Sequence, residues 1–335
     1  MTPSTPPRPL DVVALFPELS GRARTATRLH PRPGDPTVRD SSVGGPLLWP
    51  SDEAWPTCGD THEAYALTTL ADVHTRRRIL AAAWERPRPP GTNLLTPDEQ
   101  AVIERIGAGY DPALLPAEPL PLIPLAQLYA RDVPDLPGPD DADLLQVLWC
   151  PFDEILDSPS AVHLRWRQST AVRDVLAHPP APAYVGQDHY VPTPCVLHPE
   201  QVTEYPAYHD LGDELAERVI SRDRELLLSQ REDQPTYRGD LSTAPGWKVG
   251  GWSAPFTFRD PAGPDELRCC GAPLEPLLTI ASDEWDGDSR SWRPVSKDGE
   301  TKDHTPTEVV VGRGYTLQVY RCVASYGHPP VTIMQ

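Results

Sequence analysis

The chain has 335 residues, of which 39% are hydrophobic and 43 are proline, and its formal net charge is −18. The length and apolar content are sufficient for a buried core, whereas the prolines predict short elements and many loops. The negative charge disfavours binding to nucleic acids and to anionic membranes, and it favours a basic partner, either a protein segment or a cationic ligand. Solubility alone is the simpler explanation of the charge. The chain lacks the run of about 20 apolar residues that a membrane-spanning helix needs, and it lacks a signal layout, so the sequence predicts a cytoplasmic protein.

The N-terminal part of the chain is rich in proline and arginine. Residues 1–40 show little apolar periodicity, so the sequence predicts a partly ordered leader with one short apolar piece at residues 12–19. After it, apolar residues at helical spacing predict a helix over residues 64–84, which Pro87 ends.

A second helix is indicated by its start signal. Thr96 matches a helix N-cap and Pro97 matches the first helical position. Both predicted helices fall in residues 61–115, which we interpret as a helical insertion into an N-terminal lobe of residues 41–170.

The second half of the chain alternates between strand and helix signals. Alternating apolar residues predict an antiparallel hairpin from residues 144–152 and 161–167. Charged and apolar residues at helical spacing predict an amphipathic helix over residues 211–228. This helix lies in a connecting segment, residues 171–245, and a C-terminal β-rich lobe follows at residues 246–335.

One pattern occurs twice in the same order. The first copy contains Val43-Gly44-Gly45, Cys58-Gly59, residues 121–127, Leu145-Gln146-Val147 and Cys150, and the second contains Val249-Gly250-Gly251, Cys270-Gly271, residues 273–279, Leu317-Gln318-Val319 and Cys322. Short motifs also recur by chance in chains rich in proline and glycine. The order of the landmarks favours an α+β fold with two β-rich lobes from an internal duplication, mainly antiparallel sheets, a helical insertion and a connecting helix.

The same motifs resemble the YwqG-like family of unknown function. The matching segments are residues 42–50 with Trp55-Pro56, residues 120–128, residues 198–206, and residues 248–252 through 280–284. A related pattern is found in ribosomal-protein chaperones of the programmed-cell-death-2 type, and that resemblance implies protein binding. The chain departs from the family where relatives often carry a Cys-x-x-Cys pair, since it has adjacent Cys269 and Cys270, and where relatives often carry Gln, since it has Thr279.

Catalytic and metal-binding patterns are incomplete. Residues 251–255 lack the final glycine of a nucleophile elbow, and His62-Glu63 lacks the second histidine of a zinc-protease helix. Cys195 with His198 is one possible zinc pair, to which Cys58 or Cys269 and Cys270 could add ligands. Buried reduced thiols explain the scattered cysteines more simply, so the sequence predicts no catalytic residue, metal or cofactor.

The preferred hypothesis is a non-catalytic protein-binding module, chaperone-like or immunity-like, with an acidic aromatic surface between the lobes. The candidate binding residues are Trp49, Trp55, Trp252, Asp283, Glu284 and Trp285, and the glycines with a structural role are Gly44, Gly45, Gly250 and Gly251. The alternative is a small-molecule-binding protein or hydrolase with a site at the lobe junction, and its candidate acid and base groups are His189, His198, His209, Asp283 and Glu284. A scaffold with neither activity is the third possibility.

Overall fold

The computed structural model describes residues 2–152, 161–229, 234–255, 262–263, 266–296, 299–301 and 303–335. Within these ranges, helices α1–α4 span Val12–Leu15, Leu70–Glu85, Pro97–Ala108 and Asp213–Leu228. Strands β1–β17 span, in chain order, Arg24–Arg28, Arg32–Pro33, Ser42–Val43, Thr57–Cys58, Leu120–Pro121, Ile123–Tyr129, Leu144–Trp149, Val162–Arg167, Cys195–Val196, Glu200–Glu204, Lys248–Gly250, Arg268–Cys269, Ala272–Ala281, Val295–Ser296, Gly299–Glu300, Thr316–Cys322 and Val331–Met334. All strand pairings in the described part of the chain are antiparallel, so the predicted α+β class with antiparallel sheets is confirmed.

The helices begin where side chains cap them. Helix α2 begins six residues later than predicted, because the Thr69 hydroxyl accepts a hydrogen bond from the backbone N–H of Asp72. Helix α3 begins as predicted, since Thr96 and Glu99 form a reciprocal capping box. Val219 of helix α4 is buried, whereas much of the surface of this helix is exposed. No helix among the described residues combines the length and the apolar character needed to cross a bilayer.

Two large sheets form the body of the molecule. The first sheet has the strand order β2-β9-β3-β6-β7-β8, and it contains the predicted hairpin as β7 and β8. The second sheet has the order β10-β1-β11-β13-β16-β17, with β12 added beside β13. The connection predicted between the hairpin strands, residues 153–160, lies outside the described residues.

The two sheets do not follow the predicted lobe boundaries. Strand β1 comes from the predicted leader, yet it lies inside the second sheet between β10 and β11. The polar sequence of β1 does not indicate a buried strand. Ala26 and Thr27 are nevertheless fully buried, and the buried Arg28 donates to the backbone carbonyl oxygens of Trp292 and Glu284. Each sheet therefore combines strands from distant parts of the chain.

A shared core joins the sheets. One cluster of buried residues includes Val43, Leu125 and Val147 of the first sheet and Val249, Leu277 and Val319 of the second. Leu29 and Trp247 also belong to this cluster, and the backbone N–H of Leu29 donates to the Trp247 carbonyl oxygen at 2.9 Å, next to the pairing of β1 with β11. The β-rich regions are thus packed as one body with a continuous apolar interior.

Three strands of each sheet have matching registers. We call β3, β6 and β7 the first trio and β11, β13 and β16 the second trio. In the first trio Ser42 pairs with Gln127, which pairs with Gln146, and in the second trio Lys248 pairs with Thr279, which pairs with Gln318. The register also shifts at matching places, between Pro124 and Ala126 and between Pro276 and Leu278.

The Gly-Gly pairs of the two motifs occupy the end of the first strand of each trio. All four glycines have positive φ, between 68° and 81°. At Gly251 a Cβ atom would lie only 2.6 Å from the Cβ of Ala26, so β1 packs directly against the glycine backbone. The predicted structural role of these glycines therefore has a physical basis in the backbone conformation.

Candidate functional site

A cleft of about 860 Å³ lies between helix α4 and one end of the second sheet. Helix α4 contributes Ile220, Leu226 and Leu227 to its lining, and the side chain of Leu227 is 66% exposed. The segment after β13 contributes Asp283 and Trp285. The lining of the cleft therefore combines apolar side chains of helix α4 with an acidic turn.

The acidic turn is shaped by its own hydrogen bonds. The Asp286 carboxylate accepts from the backbone N–H groups of Asp288 and Ser289 and from the Ser289 hydroxyl, at 2.7–3.0 Å. This arrangement fixes Asp286 as a structural residue and leaves Asp288 exposed at the cleft. Five aspartates line the cleft against three arginines, so its charge is predominantly negative.

Asp283 is a half-buried carboxyl group of the cleft with a shifted pKa. Burial raises the pKa of Asp283 because desolvation disfavours the carboxylate, while the nearby His304 opposes this change. The His304 Nε2 atom lies 3.4 Å from Asp283 Oδ1. The ring of His304 also contacts the edge of Trp285, with centroids 5.9 Å apart.

The six predicted binding residues separate in the structure, and only Asp283 and Trp285 line the cleft. Trp49 and Trp55 pack against each other, with ring centroids 5.1 Å apart, and Trp49 is only 1% exposed. The Trp252 ring instead lies under the Arg24 guanidinium group, 3.6 Å from the ring centroid. The tryptophans therefore serve different parts of the fold.

Glu284 lies inside a buried charge network instead of on a surface. Its carboxylate lies 2.6 Å from His30 Nδ1 and accepts from Arg32 at 2.8 Å. Burial alone would raise the pKa of Glu284, but hydrogen bonding with His30 and the nearby positive charges lower it overall. The side chain is 3% exposed, which leaves it no access to a partner.

The acid and base groups of the alternative hypothesis also have separate surroundings. His209 lies 3.5 Å from Asp210, and His189 lies 3.3 Å from Asp188. His198 donates its backbone N–H to Leu29. Among the described residues that line the cleft there is no histidine, so these groups do not converge on one pocket.

Two groups of thiols and imidazoles lie outside the cleft. The C-terminal thiol cluster consists of Cys269, Cys270, Cys322 and His328, and the N-terminal thiol cluster consists of Cys58, His62 and Cys150. In each cluster the candidate ligand atoms all lie within 4.8 Å of one another. Sequence spacing did not predict either group, because strand pairing brings together residues that are about 50 to 90 positions apart.

Cys195, which the sequence predicts as a possible zinc ligand with His198, lies in a different environment. The Cys195 thiol is fully buried and donates to the carbonyl oxygen of Pro306 at 3.3 Å. Burial raises the pKa of Cys195 to about 12. Cys195 belongs to neither thiol cluster.

A comparison of the chain with protein-family models gives no match, and a comparison with curated proteins gives none either. The cleft and the side-chain clusters are therefore the features of the chain that bear on its function.

Proposed function

We propose that this protein is a non-catalytic protein-binding module that holds a basic segment of a partner protein in the cleft beside helix α4. The observation that carries the proposal is the pairing of exposed apolar side chains, such as Leu227, with the acidic turn at Asp283 and Asp288. A partner helix or strand with one apolar face and flanking arginines has the complementary chemistry.

The apolar wall supplies affinity and the carboxylates supply selectivity. Burying one leucine side chain contributes about 1.5–3 kcal/mol, and exposed apolar residues grouped on one helix are typical of interaction surfaces. The surrounding aspartates attract arginine and lysine and repel acidic chains. A chaperone-like or immunity-like role is consistent with recognition of a basic protein.

We also propose that the two strand trios arose by duplication and that the chain is YwqG-like. The matching registers at Gln127 and Thr279 and the paired Gly-Gly turns support this proposal. The resemblance to chaperones of the programmed-cell-death-2 type agrees with protein binding at the level of the fold. The scattered cysteines support a cytoplasmic location, where thiols stay reduced.

Quantitative co-purification from the native cell tests the proposed function. The tagged protein is expressed at its natural level and purified at moderate salt, and the bound proteins are measured by mass spectrometry. We expect one near-stoichiometric partner, whose recovery falls about tenfold or more for Asp288→Lys and for Leu227→Arg, because both changes oppose a basic amphipathic segment. Asp141→Lys is the matched control, since Asp141 is exposed and lies outside the cleft.

The outcomes separate the candidate functions. Titration of the purified partner, with affinity that falls as salt rises, completes the support for binding at the cleft. A preparation without a partner contradicts the proposal, and a partner that binds all three variants equally contradicts the cleft as its site. If small metabolites instead raise the melting temperature of the wild type and not of Leu227→Arg, the cleft is a small-molecule site, for which its volume is suitable.

A further inference from the structure

The C-terminal thiol cluster has the composition of a metal centre. It contains three thiols and one imidazole, a ligand set that favours zinc over magnesium or calcium. The cluster lies at the end of the second sheet, where the turn between β12 and β13 meets the loop between β16 and β17. Each of these two turns supplies a pair of candidate ligands, which is the usual arrangement of a structural zinc site.

Three of the six distances between the ligand atoms match tetrahedral geometry, and all six are within 4.8 Å. Zn–S bonds of about 2.3 Å and Zn–N bonds of about 2.0–2.1 Å place tetrahedral sulfur atoms about 3.8 Å apart, and sulfur and nitrogen about 3.5–3.6 Å apart. In the structure Cys270 Sγ lies 3.8 Å from Cys322 Sγ and 3.6 Å from His328 Nδ1, and Cys269 Sγ lies 3.5 Å from His328 Nδ1. The two sulfurs are also much farther apart than the roughly 2.05 Å of a disulfide bond.

The backbone explains how two adjacent cysteines face one point. Successive side chains of a strand point to opposite sides, so Cys269 and Cys270 would diverge in regular β structure. Cys270 instead has a φ of +46°, in the left-handed region that non-glycine residues rarely occupy. This conformation brings both thiols to His328, and such unfavourable conformations are typical of functional positions.

The surroundings favour a structural site that metal can reach. Cys322 is buried, Cys269 and His328 are partly buried, and Cys270 is exposed. Among the described residues, the local apolar cluster has four buried members, Leu274, Tyr320, Cys322 and Ile333, and its other members are only partly buried. A metal ion would stabilise an end of the sheet where little hydrophobic burial is available.

We infer that the C-terminal thiol cluster binds one zinc ion through Cys269, Cys270, Cys322 and His328. The ion would connect the β12–β13 turn with the β16–β17 loop. Four protein ligands fill a tetrahedral zinc ion and leave no position for substrate, so the centre is structural. The site lies apart from the cleft of the proposed function, so zinc binding is tested independently of that function. The N-terminal thiol cluster offers three such ligands and provides an internal comparison.

Metal analysis of the full chain tests this inference. The protein is purified with a thiol reductant and without chelators, and its zinc content is measured by elemental mass spectrometry and native mass spectrometry. We expect Cys270→Ser/Cys322→Ser to contain about one equivalent less zinc than the wild type, because it lacks two of the four ligands. Since loss of second-shell partners already weakens metal binding about 10–100-fold, we expect His328→Ala to weaken it at least about tenfold.

Matched controls identify which thiols matter. Cys195→Ala removes a buried thiol outside both clusters, and His304→Ala removes an exposed imidazole outside them. We expect both to keep the wild-type zinc content. We expect Cys58→Ser/Cys150→Ser to keep the equivalent that depends on Cys270 and Cys322, so adding both Cys270→Ser and Cys322→Ser to that variant must remove it.

Cobalt titration of the wild type keeps the inference testable if the variants do not fold. We expect one Co²⁺ ion to give the intense visible bands of a tetrahedral site, with charge-transfer absorption from three thiolates, and Zn²⁺ to displace it. An octahedral spectrum or absorption from fewer thiolates overturns the ligand set. Wild-type protein without bound zinc that also fails to bind added Zn²⁺, or zinc content that Cys270→Ser/Cys322→Ser leaves unchanged, overturns the site.

Discussion

In the first trio, the two strands that follow the strand beside the Gly-Gly turn each carry a buried glutamine. In the second trio, the strand beside the Gly-Gly turn carries a buried lysine, and the next two strands carry a buried threonine and a buried glutamine. Gln127 Oε1 accepts from the backbone N–H of Leu48 and from Gln146 Nε2. Its Nε2 atom donates to the carbonyl oxygens of Val38 and Asp40. One amide side chain thus joins the sheet to the chain on both sides of the Gly-Gly turn.

The second trio achieves a similar result with an ion pair. Lys248 Nζ donates to Glu204 Oε1 at 2.5 Å, and both side chains are fully buried. Glu204 also accepts from the backbone N–H groups of Ala244 and Trp252. Gln127 of the first trio and Glu204 of β10, near the second trio, each accept from a backbone N–H of the chain that leaves the Gly-Gly turn, so the same strand pairing is held by different chemistry.

The largest expected difference between the trios lies at the first strand. Lys248→Met removes one partner of a buried pair and leaves the Glu204 carboxylate uncompensated, so we expect it to lower the free energy of unfolding by about 3–5 kcal/mol. At the matching position we expect Ser42→Ala to change it by less than about 1 kcal/mol, because the buried Ser42 hydroxyl has no hydrogen-bond partner among the described residues. Urea denaturation of both variants measures the difference.

A double variant separates the contribution of the ion pair to stability from that of the lysine side chain. Glu204→Gln/Lys248→Met removes both charges, and we expect it to recover part of the stability that Lys248→Met loses. A cost of under about 1 kcal/mol for Lys248→Met contradicts this view of the second trio.

The central strand provides a smaller contrast. Gln127→Leu leaves several buried groups without their partner, including the Leu48 N–H, so we expect it to cost about 3 kcal/mol. Thr279→Val at the matching position removes a single hydrogen bond, from the Thr279 hydroxyl to Gln318 Oε1 at 2.8 Å, and we expect a cost of about 1 kcal/mol. Urea denaturation again measures the two losses of stability. Equal or reversed losses would show that Gln127 does not hold the chain on both sides of the Gly-Gly turn to the sheet.

Much of the local structure was predictable because its causes are local. The Thr96 capping box uses residues three positions apart, and the hairpin of β7 and β8 follows from alternation within each strand. The prediction that residues 1–40 form a leader missed β1, since a strand with the sequence Arg-Thr-Ala-Thr-Arg has no apolar alternation. Its burial depends on neighbours from residues 200–204 and 248–250, which no local pattern reveals.

The prediction of the site residues was limited in the same way, because local patterns do not reveal contacts between distant parts of the chain. Asp283 and Trp285 were among the predicted binding residues and do line the cleft, but helix α4, which also lines it, was predicted only as an amphipathic connecting helix. The thiol cluster was missed because Cys270 and His328 are brought together by the pairing of β13 with β16 and of β16 with β17. Contacts made through strand pairing become visible only once the register is known.

The smallest expected contrast concerns acid stability, and it compares Glu200 beside β1 with Glu53 near the first trio. Desolvation opposes ionisation of Glu200, but hydrogen bonds from His30 and Thr5 lower the pKa of its carboxyl to about 2. Desolvation likewise opposes ionisation of Glu53, and hydrogen bonds from Arg167 and Arg165 lower its pKa. A carboxylate whose pKa is lower in the folded than in the unfolded state stabilises the fold above its unfolded pKa of about 4.5, and this contribution is lost as the pH falls.

Denaturation midpoints in urea between about pH 5 and pH 3 measure these contributions. The wild type should lose stability over this interval, because folded Glu200 resists the protonation that the unfolded chain accepts. We expect Glu200→Gln to flatten the loss most, since the pKa of Glu200 is lowered to about 2, and Glu53→Gln to flatten it less. Retention of the full wild-type slope by Glu200→Gln would mean that the contacts with His30 and Thr5 do not stabilise the carboxylate.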